Sequence, residues 1–173
     1  GWNVNGVEPN SKANTKASEK GLNLKYSLED FANEKFDVIT LWHVLEHVPN
    51  LTDQVTRLSN LLEEGGALII AVPNFKSFDA LHYKNFWAAF DVPRHLWHFS
   101  RTTISKLFKK ENMQVVKTYP MIFDAFYVSL LSEKYRTGNQ NFISAFFIGL
   151  RSNIKAWRTK EYSSLIYVLK KAK

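Results

Sequence analysis

The run Phe36-Asp37-Val38-Ile39-Thr40-Leu41 constrains this chain more than any other stretch. It is short, apolar and rich in β-branched residues, and its one charge sits near the start. That pattern reads as a strand buried in a parallel sheet. Trp42, His43, Glu46 and His47 follow at once, and Pro49 stops the segment. Ligands of open α/β sheets bind just beyond the carboxyl ends of strands, so Trp42 to His47 is the first place to look for a site.

The neighbouring pattern extends the sheet. Leu51 to Glu64 reads as an amphipathic helix with Leu51, Val55, Leu58, Leu61 and Leu62 on one face. Gly65-Gly66 supplies a left-handed C-cap, and Ala67 to Val72 is a second apolar strand ended by Pro73-Asn74. Strand, helix and strand in that order form a right-handed crossover unit. Upstream, Val4 to Glu8 reads as a short strand ending on an acid, followed by a polar helix capped by Pro9-Asn10-Ser11 and running to about Glu19. Leu22 to Tyr26 reads as a third strand. Ser27 then caps a brief turn in which Glu29 and Asp30 offer either a capping box or an acceptor for a ligand.

The second half is aromatic, then helical. Residues 75–99 hold Phe75, Phe78, Tyr83, Phe86, Trp87, Phe90, Trp97 and Phe99, a density that suggests a lid, a substrate wall or a satellite core. Ser100 caps a helix with Ile104, Leu107 and Phe108 inward, and Met113 to Thr118 is a strand. Two apolar helical stretches follow, Ile122 to Leu131 and Phe142 to Trp157, expected as a helical cap over 120–160. Tyr162 to Leu169 is a final strand before a Lys-rich tail.

"FDVI…HVLEHV" followed by "LLEEGGALIIAVPN" resembles strands four and five of the class I S-adenosylmethionine-dependent methyltransferases. Within them the likeness is to the small-molecule group that includes the ubiquinone-biosynthesis O-methyltransferases. "GVEPN" resembles that family's second strand, "sLED" its adenine-side turn, and "DVPRHLWHFS" the segment before its sixth strand. The resemblance implies an α/β fold, a Rossmann-like sheet with helices on both faces, as one domain over residues 1–173. It implies S-adenosylmethionine as cofactor, with Glu8 on the ribose, Glu29 or Asp30 near the adenine, and Trp42 and His43 alongside. The family's glycine-rich turn has no counterpart, since the only adjacent glycines are Gly65-Gly66. The first strand is therefore expected to be missing, and these residues alone to bind no cofactor and show negligible activity. The open edge is expected to be repaired by 4–8 pairing with 36–41, by a neighbouring chain, or by a displaced N-terminal segment.

Methyl transfer to a hydroxyl needs a base, and His47 is the best-placed candidate, with His95 and His98 next. If Trp42 onward is helical, His43, Glu46 and His47 share a face. That set admits a divalent ion, a base or simple polar positioning, and no metal is assigned. Hydrophobic content of 45% and the absence of cysteine suit a globular protein of a reducing compartment, expected to be cytoplasmic. The net charge of +7 is uneven. Residues 1–100 carry nine Lys/Arg against twelve Asp/Glu, and residues 101–173 carry fourteen against four. The expected partner is a small-molecule acceptor. Peripheral membrane contact through 120–160 and a homo-oligomer are further readings, and nucleic acid is not the expected partner. Two alternatives to the enzyme reading stay open: a non-catalytic module that binds membranes or partners through the basic half, and an RNA-modifying methyltransferase.

Overall fold

The computed structural model describes residues 1–172. Its sheet has four strands: β1 (Phe36–Trp42), β2 (Leu62–Pro73), β3 (Met113–Pro120) and β4 (Ser164–Lys171). Their order is β1-β2-β4-β3, with β1 and β2 parallel and β4 antiparallel to both its neighbours. Helix α1 (Ser11–Glu19) precedes the sheet, and α2 (Leu51–Leu61) makes the crossover from β1 to β2. Helix α3 (Phe78–Tyr83) and two 3-10 turns occupy the aromatic stretch. Helix α4 (Arg101–Lys109) leads into β3, and α5 (Asp124–Thr137) and α6 (Phe142–Thr159) lie between β3 and β4.

Two clusters make up the core. Leu41, Leu58, Leu68, Ile70, Ile104, Phe108 and Leu169 join the sheet to α2 and α4. A smaller cluster joins Tyr83, Trp87, Ala88 and Ala89 to Val128 of α5. The aromatic stretch is therefore partly a satellite core: Tyr83 and Trp87 are buried, and short helical turns replace the long loop.

Several expectations need correction. Val4 to Glu8 and Leu22 to Tyr26 are not strands; they meet in one isolated bridge, Val7 with Lys25. The first repair, pairing of 4–8 with 36–41, does not occur: β1 pairs with β2 alone among the described residues. Having one strand neighbour, β1 is more exposed than a central parallel strand, with Asp37, Val38, Thr40 and Trp42 open to solvent. Helix α2 stops at Leu61, and Gly65-Gly66 does not cap it. Gly65 instead takes φ +82° in an irregular start to β2, where the register shifts between Phe36↔Leu62 and Val38↔Ala67. A Cβ on Gly66 would stand 2.9 Å from the Asp37 carbonyl oxygen, so the close approach of β1 needs a glycine there. The expected Lys-rich tail begins inside β4, and its last residue, Lys173, lies outside the described residues.

Helices α5 and α6 pack through small residues. Ala145, Gly149, Ser152 and Ala156 are the buried positions of α6. A Cβ on Gly149 would stand 2.8 Å from Phe126 Cδ1 and 3.0 Å from the Ala125 carbonyl oxygen, so the two backbones are in near contact. Gly149→Val should therefore overpack the pair and cost roughly 1–3 kcal/mol in urea unfolding. An unchanged midpoint would mean that the helices do not pack this closely.

Candidate active site at the carboxyl end of β1

Beyond Trp42 the chain does not continue as an α-helix. His43 takes φ 51°, in the left-handed region, and only then does a 3-10 turn form over Leu45–His47. A β-carbon-bearing residue stays in that region only where its surroundings fix it. Here two carboxylates do so. His43 Nδ1 meets Glu46 Oε1 at 3.1 Å, and Nε2 meets Asp124 Oδ2 at 3.5 Å. Asp124 first, then Glu46, hold the imidazolium, and together they raise the His43 pKa to about 9 against the opposing effect of burial.

Glu46 is 1% exposed. Its carbonyl oxygen accepts from Leu96 N at 2.8 Å and Trp97 N at 3.2 Å, which draws the aromatic stretch onto the end of the strand. Its second carboxylate oxygen, Oε2, is buried without a hydrogen-bond partner. His43 stands before the 3-10 turn that carries Glu46 and His47, so the three residues do not share one α-helical face. The His47 Nδ1–H donates to the Arg94 carbonyl at 3.0 Å, and the His95 Nδ1–H donates to the Ala89 carbonyl at 2.9 Å. A carbonyl only accepts, so each neutral ring carries its lone pair on Nε2. The two rings meet edge to face, 4.6 Å between centroids. Burial lowers the His95 pKa and keeps that ring neutral.

Glu46, His47 and His95 each offer a donor atom within 4.8 Å of the other two. That spacing can share a proton or a divalent cation, and the backbone-anchored Nδ1 atoms suit either use. His98 stands on an adjoining crevice with His95. Its Nε2 is engaged by the Phe90 carbonyl at 2.9 Å.

The expected cofactor residues are less gathered. Asp30 Oδ2 accepts from Tyr26 N and Ser27 N, both at 3.2 Å, which makes it the acid of a capping box. Glu29 pairs with Arg57 at 2.9 Å. Glu8 is half-buried, and Oε1 accepts from Asn10 N at 2.8 Å. Its Oε2 has no hydrogen-bond partner among the described residues. Trp42 is half exposed at the strand end. Sequence reasoning missed Asp124, because an acid opening a helix usually marks only the positive end of the helix dipole.

A family model described as a methyltransferase domain matches residues 1–118. A ubiquinone biosynthesis O-methyltransferase of Actinobacillus pleuropneumoniae is 36% identical over 88 residues, covering 43% of this chain and 38% of that relative. One from Vibrio atlanticus is 36% identical over 81 residues, covering 42% and 34%. The match thus spans little more than a third of these relatives' length. Among solved structures, an S-adenosylmethionine-dependent methyltransferase from Thermotoga maritima superposes with a TM-score of 0.65 at 17% identity, covering 97% of this chain and 72% of that one. A cyclopropane synthase from Mycobacterium tuberculosis gives 0.59 at 12% identity, covering 98% and 70%. The fold is that of the Rossmann-like methyltransferases.

The raised His43 pKa has a signed consequence. Its contribution to stability is complete below the ordinary value near 6.5 and is lost as pH rises through about 9. The urea midpoint should therefore fall over that interval, and His43→Gln should flatten the fall. A wild-type midpoint that rises over the same interval would contradict the pairing.

Proposed function

The chain belongs to the methyltransferase-domain family, and from that premise we propose that it serves S-adenosylmethionine-dependent methyl transfer to a hydroxyl oxygen of a small or lipophilic acceptor. The observation that carries the reading is the His47 and His95 pair at the end of β1, each ring anchored through Nδ1 with its lone pair on Nε2. The choice of oxygen is supported by the likeness to the ubiquinone biosynthesis O-methyltransferases and by the presence of a base, which a hydroxyl nucleophile needs.

S-adenosylmethionine, when bound, supplies a methyl group on a sulfonium that is already a good leaving group. The protein's own work is to hold the acceptor in line and to take its proton. His47 Nε2 takes the hydroxyl proton while its Nδ1–H stays on the Arg94 carbonyl and fixes the ring. His95 packs against it as a neutral second acceptor, and His98 lines the approach. Glu8 suits the ribose, because its half-buried carboxylate engages only Oε1 and keeps the other oxygen uncommitted. Trp42 would lie along the cofactor, with Glu29 and His43 near it. Asp30 would stand near the adenine with Glu29: its cap uses Oδ2 and leaves Oδ1 uncommitted among the described residues. Without a glycine-rich turn, these residues by themselves are proposed to bind no cofactor and to show negligible activity.

The test is transfer of labelled methyl from S-adenosylmethionine to a panel of small lipophilic hydroxyl-bearing acceptors by the protein that carries this chain. His47→Ala should lower kcat about 100-fold or more with little change in cofactor affinity. Dialysis against a chelator should leave the wild-type rate unchanged. A chelator-sensitive rate would instead assign Glu46, His47 and His95 to a cation. In calorimetry on the longer protein that carries this chain, Glu8→Ala should weaken cofactor binding by roughly 1.5–3 kcal/mol, as loss of hydrogen bonds to a charged group implies. Unchanged affinity would remove Glu8 from the site.

A further inference from the structure

Helix α6 is built inside out. Its buried positions are the small residues Ala145, Gly149, Ser152 and Ala156. Its outer positions are Phe142, Ile143, Phe146, Phe147, Ile154 and Trp157, each between 54% and 74% exposed. At 3.6 residues per turn these six fall within an arc of about 140° and run the length of the helix. A helix of a water-soluble domain shows the reverse order, with large apolar residues inward. Small residues inside and large apolar residues outside are what helices in contact with lipid use.

What holds the helical pair explains how it can stand this way. Its interior is tied by buried carboxylates as well as by a small apolar cluster of Tyr83, Trp87 and Val128, against which Ile148 of α6 packs. Asp79 accepts from Ser152 Oγ at 2.6 Å, Ser163 Oγ at 2.7 Å and Trp87 Nε1 at 2.8 Å. Glu133 of α5 accepts from Ser144 Oγ at 2.7 Å and Tyr83 OH at 3.0 Å, and pairs with Arg136 at 2.9 Å. The aromatic residues are therefore spared for the surface, where an open apolar groove of ≈ 550 Å³ runs between Phe126, Leu130, Phe142 and Phe146.

Charge selects the partner. Helix α6 has no acid, and its three bases, Arg151, Lys155 and Arg158, fall on one margin of the apolar arc. None of the three is in an ion pair among the described residues. The two acids of α5 are already engaged, Asp124 by His43 and Glu133 by Arg136. A second copy of this chain would set like charges against one another, whereas an anionic surface would complement them. No helix of the described residues is long and apolar enough to cross a membrane. At 18 residues, α6 is about 27 Å long and suited to lie along an interface.

We infer that the α5–α6 pair seats this protein on an anionic phospholipid bilayer. Helix α6 lies in the interface with Phe147 and Trp157 among the acyl chains and Arg151, Lys155 and Arg158 at the phosphates. Docking of this kind is independent of whether the site at β1 transfers methyl groups.

The test is co-sedimentation of the protein with vesicles of phosphatidylcholine alone and of phosphatidylcholine mixed equally with phosphatidylglycerol. Binding to the mixed vesicles is expected, with far less to phosphatidylcholine. Replacing Arg151, Lys155 and Arg158 by Gln should weaken binding by about fivefold per residue. Phe147→Gln with Trp157→Gln should abolish it, and both side chains are exposed enough for the fold to survive, which circular dichroism would verify. Brominated acyl chains should quench the wild-type fluorescence more than that of Trp157→Phe. Absence of binding to either vesicle would overturn the inference. Binding that survives Phe147→Gln/Trp157→Gln, or a solution dimer dissolved by that pair of changes, would overturn it too.

Discussion

Glu46 is a carboxylate taken out of water at the end of a strand, and the rest of the site follows from how it is held. A buried charge without a partner costs several kcal/mol, so the surrounding chain is bound to provide one. His43 provides it by turning through a left-handed conformation that a residue at the end of a straight strand would not adopt. The same ring then reaches Asp124, the first residue of α5, and the sheet becomes joined to the helical pair. The Glu46 carbonyl holds the backbone of Leu96 and Trp97. Three parts of the chain far apart in sequence thus converge on one acid, and His47 and His95 are brought ring to ring as a result.

The periodic elements were legible in the sequence, and the reason is local. Phe36 to Leu41, Ala67 to Val72 and Met113 to Thr118 carry their own strand signal and lie in the sheet, and Tyr162 to Leu169 joins it from Ser164 onward. Asn10, Ser27 and Ser100 cap the turns and helices that follow them because capping depends on three or four adjacent residues. Val4 to Glu8 and Leu22 to Tyr26 have strand-like composition too, yet a strand exists only where a partner edge is in reach. These two find each other at one bridge and find β1 not at all. The exposure of β1 has the same origin, since composition reports what a strand could bury and not how many neighbours it has.

The site was legible in its residue types and not in its geometry. His43, Glu46, His47 and His95 stand out in the sequence, but their division into an ion-paired ring and an edge-to-face pair depends on the left-handed turn at His43 and on the carbonyls of Ala89 and Arg94. Asp79, Asp124 and Glu133 could not be singled out by pattern. Asp79 finds Ser152 and Ser163 at separations of 73 and 84 residues, beyond any local rule. Those acids also help explain why α6 carries most of its bulk outward: serines and carboxylates share the interior of the helical pair with a small apolar cluster that takes in Ile148 alone from α6 among the described residues.

The assembly of this end of the sheet depends above all on His43 being the charged partner of Glu46 and Asp124. A pH titration of the five histidine rings by heteronuclear NMR measures this most directly. The His43 ring should keep its proton up to about pH 9, while the His95 ring loses its proton below the ordinary value. A His43 ring that titrates near 6.5 would mean that the two carboxylates are held some other way, and the description of how this end of the sheet is assembled would fail with it.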